Sequence, residues 1–302
     1  MERFDTIIIG AGPAGVTAAI YAHRSGLSYL LLEKGAIGGK VVTAFEIENY
    51  PGISKIGGSE LALDFRKQVK DMGINFRREE VLSVEKFDDH LFFITTNKDK
   101  YQCESIIIAT GTKENELNLP KEDQFRGRGV SFCATCDGAF YKDKDVVVYG
   151  GGDSAITEAT FLAPIVHSIT MISRHNLRGE KNNIEKLKAH SNITYLPNTI
   201  ITELVGDDHL EGIKVLSEGN KISTIKTDGI FVYIGSKPEL KFLNHLDVLN
   251  SKGYIEVDNE FRTKVKGVYA IGDVIEKELR QIVTATNDGA IAIHTLHKDL
   301  NK

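Results

Sequence analysis

Ile7-Ile8-Ile9-Gly10-Ala11-Gly12-Pro13-Ala14-Gly15 is the stretch whose reading decides the fold of this chain. Phe4 to Ile9 form an apolar run with three consecutive isoleucines, which predicts a strand buried on both faces. The alanine-rich segment Val16-Thr17-Ala18-Ala19-Ile20-Tyr21-Ala22 predicts a helix directly behind it. Tyr29-Leu30-Leu31-Leu32 reads as a second buried strand, ended by Glu33, eighteen residues beyond Gly15. This is G-x-G-x-x-G in its strand-to-helix context. The first glycine permits a tight turn, the second lets backbone approach a pyrophosphate, and the third packs helix against strand. Free N–H groups at the helix start receive the phosphates, and a carboxylate at Glu33 can accept both ribose hydroxyl hydrogens. A dinucleotide site is expected.

The same pattern then begins again. Asp145–Tyr149 predicts a strand, Gly150-Gly151-Gly152-Asp153-Ser154-Ala155 opens a helix toward Pro164, and Ser168–Ile172 predicts the next strand. Gly10 and Gly150 stand 140 positions apart, as do Glu33 and Ser173. Such self-similarity predicts two related dinucleotide-binding units. Each is followed by alternating segments joined by polar turns, a small antiparallel meander. The first covers Val81–Phe87, Leu91–Thr95 and Tyr101–Glu104; the second covers Ile200–Val205, Leu210–Leu216 and Lys221–Lys226. Buried strands follow at Ile106–Ala109, ended by Thr110-Gly111, and at Ile230–Ile234, ended by Gly235.

Between the first unit's second strand and its meander lies a long loop holding Gly38-Gly39-Lys40 and Glu48-Asn49-Tyr50-Pro51-Gly52. Loops of that length in compact domains tend to be functional. A helix is expected from a Ser59 cap to about Asp71, with Gly73 as its stop. The tail returns to first-unit character, with strands expected at Gly253–Val257 and Gly267–Ile271, then Gly272-Asp273-Val274, and a helix from Arg280 to Leu300. The expected fold class is α/β, with two Rossmann-like dinucleotide-binding domains, the second inserted in the first. The expected boundaries are 1–115 plus 241–302, and 116–240.

The chemistry points to Cys133-Ala134-Thr135-Cys136-Asp137-Gly138, which holds two of only three cysteines in 302 residues. A C-x-x-C pair serves as a metal half-site or as a dithiol that opens and closes. Tetrahedral zinc needs four ligands, yet no second C-x-x-C exists, and His167 and His175 lack an H-x3–5-H spacing. No metal site is expected. A static disulfide suits neither so short a loop nor a reducing compartment. The residues favour a redox dithiol. Cys103 stands alone and reads as a small core or surface residue.

Composition narrows the classes. The net charge of −5 offers no basic field for nucleic acid, and no apolar run approaches membrane-spanning length. The N-terminus lacks a basic segment followed by a long apolar one. A soluble, cytoplasmic protein is expected.

With these motifs in order, the chain resembles the low-molecular-weight thioredoxin reductases over nearly its whole length. The marks are Gly10–Gly15, Glu48–Gly52, Ala109-Thr110-Gly111, Cys133–Gly138, Gly150–Ala155, Gly267–Val274 and Arg280-Gln281. The resemblance implies FAD in the first unit and NADPH in the second. It implies FAD-binding roles for Gly10, Gly12, Pro13, Ala14, Gly15, Glu33 and Lys34, for Gly39, Lys40, Val41, Asn49 and Val81, for Ala109, Thr110 and Gly111, and for Gly272, Asp273, Arg280, Gln281 and Ile282. For NADPH it implies Gly152, Asp153, Ser154, Arg174, His175, Arg178 and Gly235. It further implies a relay from NADPH through flavin to the Cys133–Cys136 disulfide and on to thioredoxin, through a mixed disulfide. Cys136 would face the flavin, Cys133 would attack the partner, and Asp137 would move protons. The nucleotide domain would rotate on connections near Lys113–Asn118 and Gly235–Leu240, and the assembly would be a homodimer.

Two departures stand out. Lys40 replaces the family's usual glutamine and is expected to turn to solvent. Ser173-Arg174-His175 replaces the commoner His-Arg-Arg, in a segment one residue shorter. Ser173 carries no charge to repel a 2′-phosphate, and Arg174 and Arg178 can grip one, which favours NADPH over NADH. A ferredoxin donor on the same fold is the alternative, as is a flavoprotein that senses without turnover.

Overall fold

The computed structural model describes residues 1–44 and 47–300. The chain divides into two compact units, Met1–Lys113 with Lys237–Lys302, and Glu114–Ser236. It begins with β1 (Glu2–Ile9), α1 (Pro13–Arg24) and β2 (Tyr29–Glu33), then a 3-10 turn (Gly39–Thr43) and α2 (Gly58–Asp71). β3 (Phe76–Arg78), β4 (Val81–Asp88), β5 (Leu91–Thr96) and β6 (Lys100–Ile108) follow. The chain leaves the first unit at β7 (Lys113–Glu114). In the second unit come α3 (Glu122–Phe125), β8 (Val130–Ser131), α4 (Ala134–Asp137), β9 (Asp145–Tyr149), α5 (Asp153–Leu162), β10 (Ser168–Ile172), α6 (Lys181–Lys188) and β11 (Ile193–Leu196). β12 (Ile200–Val205), β13 (Gly212–Ser217), β14 (Lys221–Lys226) and β15 (Gly229–Val232) complete it, and β16 (Ser236–Lys237), paired with β7, leads back. β17 (Val268–Ala270), a 3-10 turn (Gly272–Val274) and α7 (Ile282–Leu300) end the chain.

In the first unit the strands run in the order β3-β2-β1-β6-β5-β4, with β17 also on β6. Ile9 pairs in register with Leu32 and with Ile108, and Ile108 with Ala270. Four parallel strands therefore end level. The residues beyond them, Gly10, Glu33, Ala109 and the Gly272 turn, come out along one carboxyl edge, where α/β sheets bind ligands. The isoleucines and leucines of these strands are almost wholly buried, as a sheet covered on both faces requires.

The second unit repeats this in the order β11-β10-β9-β15-β8, with its meander as a separate sheet, β12-β13-β14. Tyr149 pairs with Ile172 and with Val232, and Phe231 pairs with Ser131. Gly150, Ser173, Tyr233 and the chain leading to Cys133 thus share one edge.

The structure corrects several sequence expectations. The third meander strand and the buried strand 106–109 are one continuous strand, β6. Ser105 suggests a break, but it is buried and donates its hydroxyl to the Asp5 carbonyl. The 253–257 segment is no strand. It makes single bridges, Leu249 to Ile255 and Ile255 to Ile275, so its alternation reflects the burial of Ile255 alone. Ser59 lies inside α2, whose N-cap is Gly57. A Cβ on Gly58 would lie 2.1 Å from the Val41 carbonyl oxygen, so close packing sets that helix start. α5 stops at Leu162, before Pro164, and α7 starts at Ile282. β11, a half-buried strand, was not expected from the sequence.

Candidate active site

The three glycines after β1 do different work. Gly10 has φ +104°, and a Cβ there would lie 2.4 Å from the Ala109 carbonyl oxygen. A Cβ on Gly15 would lie 1.8 Å from the Gly10 carbonyl oxygen. The protein's own packing demands both. Gly12 has an ordinary φ of −72°, and a Cβ on it would meet nothing within 4 Å. Its bare face looks into space that the protein leaves unfilled, at the start of a helix opened by Pro13 and Ala14. Helix N-termini of this kind hold phosphate.

The other residues expected at a flavin each have their own partners in the first unit. The Glu33 carboxylate accepts the Ala11 N–H at 2.8 Å and the Gly35 N–H at 2.7 Å, one on each oxygen, and so is held at the strand end. Lys34 is exposed between Glu80 and Glu239. Gly38 donates its N–H to Ala11, which lays Gly39 against Gly12. Val41 is buried, Val81 half-buried, and the Asn49 amide donates to the Gln281 amide oxygen at 3.1 Å. Lys40 is exposed, as expected, yet its charge bears on Asp273.

Asp273 lies in the 3-10 turn after β17. Burial raises its pKa, against the pull of Lys277, Lys40 and Arg280. The Arg280 guanidinium lies 4.8 Å over the Tyr254 ring, and Gln281 leads into Ile282, the first residue of α7. The Thr110 hydroxyl, just before Gly111, and the Arg280 Nε are buried without hydrogen-bond partners. Such orphans are rare in folded proteins. Together with the open face of Gly12, they fit a polar ligand along this edge.

The second unit repeats the glycine logic. Gly150 has φ +156°, and a Cβ on it would lie 2.2 Å from the Tyr233 carbonyl oxygen. Gly152, like Gly12, would meet nothing. Asp153 opens α5 but turns away, accepting from the Glu180 N–H and the Asn183 amide. Ser154 is exposed. Ser173, in the place of Glu33, is buried and bonds to the His175 carbonyl and, at 2.9 Å, to the Tyr195 hydroxyl. Arg174, His175 and Arg178 are exposed. The Arg178 N–H donates to the Gly151 carbonyl at 2.7 Å, which holds that residue against the glycine turn. Gly235, at φ +94°, accepts the Asn115 N–H at 2.8 Å.

Cys133 and Cys136 are joined as a disulfide of 2.09 Å. Cys133 caps α4, and its sulfur accepts the Cys136 N–H at 3.1 Å. The bond is available to a thiolate at the same sulfur. Cys136 is exposed and Cys133 half-buried. The Asp137 carboxylate accepts the Ser131 hydroxyl at 2.7 Å, and that hydroxyl also accepts the Cys133 N–H. Three further residues gave no sequence signal. Tyr233 takes the Ala134 N–H on its hydroxyl at 2.8 Å, and burial pushes its pKa up. Glu158 has a buried, unpartnered oxygen, and burial raises its carboxyl to about 7. Tyr195 holds the turn at Ser173. Cys103 is fully buried, and its thiol is pushed far up by burial.

A cysteine pair closed beside a carboxylate, in a chain with two glycine turns that each show an open face, defines a disulfide oxidoreductase served by dinucleotides. A family model described as pyridine nucleotide-disulphide oxidoreductase matches residues 4–289. The chain is 39% identical over 298 residues to the thioredoxin reductase of Bacillus subtilis, covering 97% of this chain and 93% of that one. Its structure is similar to Lactococcus lactis thioredoxin reductase, with a TM-score of 0.95 at 36% identity over 98% of both chains. It is also similar to T. acidophilum thioredoxin reductase, with a TM-score of 0.94 at 38% identity over 100% of both. The chain belongs to the pyridine nucleotide-disulphide oxidoreductase family. It is a disulfide-reducing flavoprotein that works with FAD and NADPH. The sensor alternative is set aside, because these relatives are reductases.

Proposed function

We propose that this chain reduces the disulfide of thioredoxin or a thioredoxin-like protein, with electrons from NADPH. The observation that carries the reading is the Cys133–Cys136 disulfide at the carboxyl edge of the second unit's sheet. The residues given FAD and NADPH roles above are the proposed sites, with Gly10 to Gly15 and Gly150 to Ser154 as the phosphate turns. The bound cofactors supply hydride acceptance and two-electron transfer to the cysteine pair. Every other task falls to the chain. Cys133, whose sulfur already accepts a backbone N–H, is the thiolate that attacks the partner disulfide. Cys136 resolves the mixed disulfide. Asp137, positioned by Ser131, gives and takes the proton that one cysteine sulfur must exchange at each turnover. Tyr233 fixes Ala134 and with it the first turn of α4. No helix among the described residues is long and apolar enough to cross a membrane. A cytoplasmic homodimer completes the reading.

Asp137→Asn is expected to slow thioredoxin turnover roughly a hundredfold, the ordinary weight of a positioned acid–base group. FAD content and flavin reduction should stay unchanged. Full activity of Asp137→Asn at every pH would remove the proton-transfer role.

The family is defined by a pyridine nucleotide, which supports NADPH over a ferredoxin. Arg174 and Arg178 are exposed near Ser173, where a 2′-phosphate would lie. Arg174→Ala and Arg178→Ala should each raise KM for NADPH roughly tenfold and leave NADH almost unaffected, since a phosphate–guanidinium pair is strong and directional. The test is anaerobic bleaching of the flavin absorbance by NADPH, NADH and a reduced ferredoxin, each alone. Bleaching by NADH alone would overturn the phosphate assignment, and bleaching by ferredoxin alone would overturn the donor.

A further inference from the structure

Asp288, buried on α7, forms an ion pair with the half-buried Lys277 that the reaction does not use. Asp288 is buried, and its Oδ2 accepts the Lys277 ammonium at 2.6 Å, with side-chain exposures of 6% and 15%. The same oxygen accepts the Gly272 N–H at 2.9 Å. Gly272 is itself buried at φ +74°, and a Cβ on it would lie 3.0 Å from the Ala14 Cβ. The neighbour of Asp288, Gly289, lets α7 press on α1, where a Cβ would lie 2.4 Å from the Ala14 carbonyl oxygen. Two adjacent residues of one helix thus touch both the start of α1 and the turn that presents Asp273. Buried pairs of this kind are costly to assemble and are weak stabilisers by themselves. What this one does is fix a backbone N–H in a left-handed turn beside a second helix.

We propose that Asp288, with Lys277 as its counter-ion, is a positioning residue that sets the Asp273 turn in register with the phosphate turn of α1 before any flavin binds. The inference rests on the reading of the first unit as the FAD site. Asp288 acts through the Gly272 N–H, and Lys277 keeps the Asp288 charge from being buried alone. Lys277 also draws Asp273 toward its ionised form, opposing burial.

The test compares two variants in which no buried charge is left unpaired. Asp288→Asn with Lys277→Met keeps an oxygen for the Gly272 N–H. Asp288→Leu with Lys277→Met has none. Each apoprotein is melted and then titrated with FAD, with binding read from quenching of flavin fluorescence. The expected result is similar apoprotein melting temperatures, near-native FAD affinity for the first, and roughly tenfold weaker FAD affinity for the second, the size expected for one lost buried hydrogen bond to a polar group. Equal FAD affinity in the two would overturn the proposal. Lys277→Met alone leaves the Asp288 carboxylate buried without its counter-ion, so its apoprotein should melt at a lower temperature than either double variant. A wild-type protein that never takes up FAD would instead defeat the reading of the first unit, a separate outcome.

Discussion

Cys133→Ser and Cys136→Ser each abolish reduction of thioredoxin, a loss on the order of 10⁴-fold or more, as removal of a covalent nucleophile produces. Each leaves reduction of the flavin by NADPH within about twofold of wild type, because no thiol takes part in that step. The two variants differ in one respect. With Cys136 gone, Cys133 attacks and has no resolving partner, so a stable mixed disulfide with thioredoxin accumulates. With Cys133 gone, none forms. The structure supplies the asymmetry: the Cys133 sulfur accepts the Cys136 N–H, and it caps α4. Non-reducing electrophoresis of each variant with oxidised thioredoxin gives the answer. Trapping by Cys133→Ser instead would exchange the two roles. Retained turnover in either variant would remove the pair from the electron path.

The second large effect is at Gly12. Gly12→Val should yield a folded, colourless protein. The Cβ of a valine there meets no protein atom within 4 Å, and the backbone has no positive φ. The apoprotein should lose little stability, about 1 kcal/mol for a β-branched residue at an N-cap. The added methyls would fill the space through which backbone approaches a pyrophosphate, so FAD content should fall below about a tenth of wild type, a loss of at least about 1.4 kcal/mol in binding. Gly15→Val is the contrast. Its Cβ alone would lie 1.8 Å from the Gly10 carbonyl oxygen, so that variant should fail to fold. Absorbance at the flavin band and a melting curve separate the two. A yellow Gly12→Val protein would move the pyrophosphate elsewhere.

The fold was legible where a residue's reason is local. Gly15 answers to the Gly10 carbonyl that its own turn brings near, and the strands before Gly10 and Gly150 are buried runs of isoleucine and valine. The 140-residue offset extended that reading to the second unit. Contacts between distant residues left no trace in the sequence. Tyr233 meets Ala134 across 99 positions, and neither residue type announces the bond. Lys277 and Asp288 look like ordinary surface charges until the fold pairs them and buries Asp288. Gly253–Val257 alternates like a strand, yet only Ile255 has partners to bridge. Ser105 looks like a break and is a buried link in β6. In each case burial, which spacing reports poorly, reversed the meaning of a polar or apolar letter.

The full burial of Cys103 has a consequence for the fidelity of electron delivery. Thiol–disulfide exchange moves to any accessible thiolate. With three cysteines in the chain and one sealed as a protonated thiol, the reactive pair has no internal rival. The bond it forms can rearrange to nothing else within the molecule, so each pair of electrons leaves through an outside acceptor or stays where it is. The same seclusion makes the chain a ready carrier for a single chemical label. An alkylating dye applied to the reduced protein would mark only the working dithiol, with no further cysteine to be engineered away.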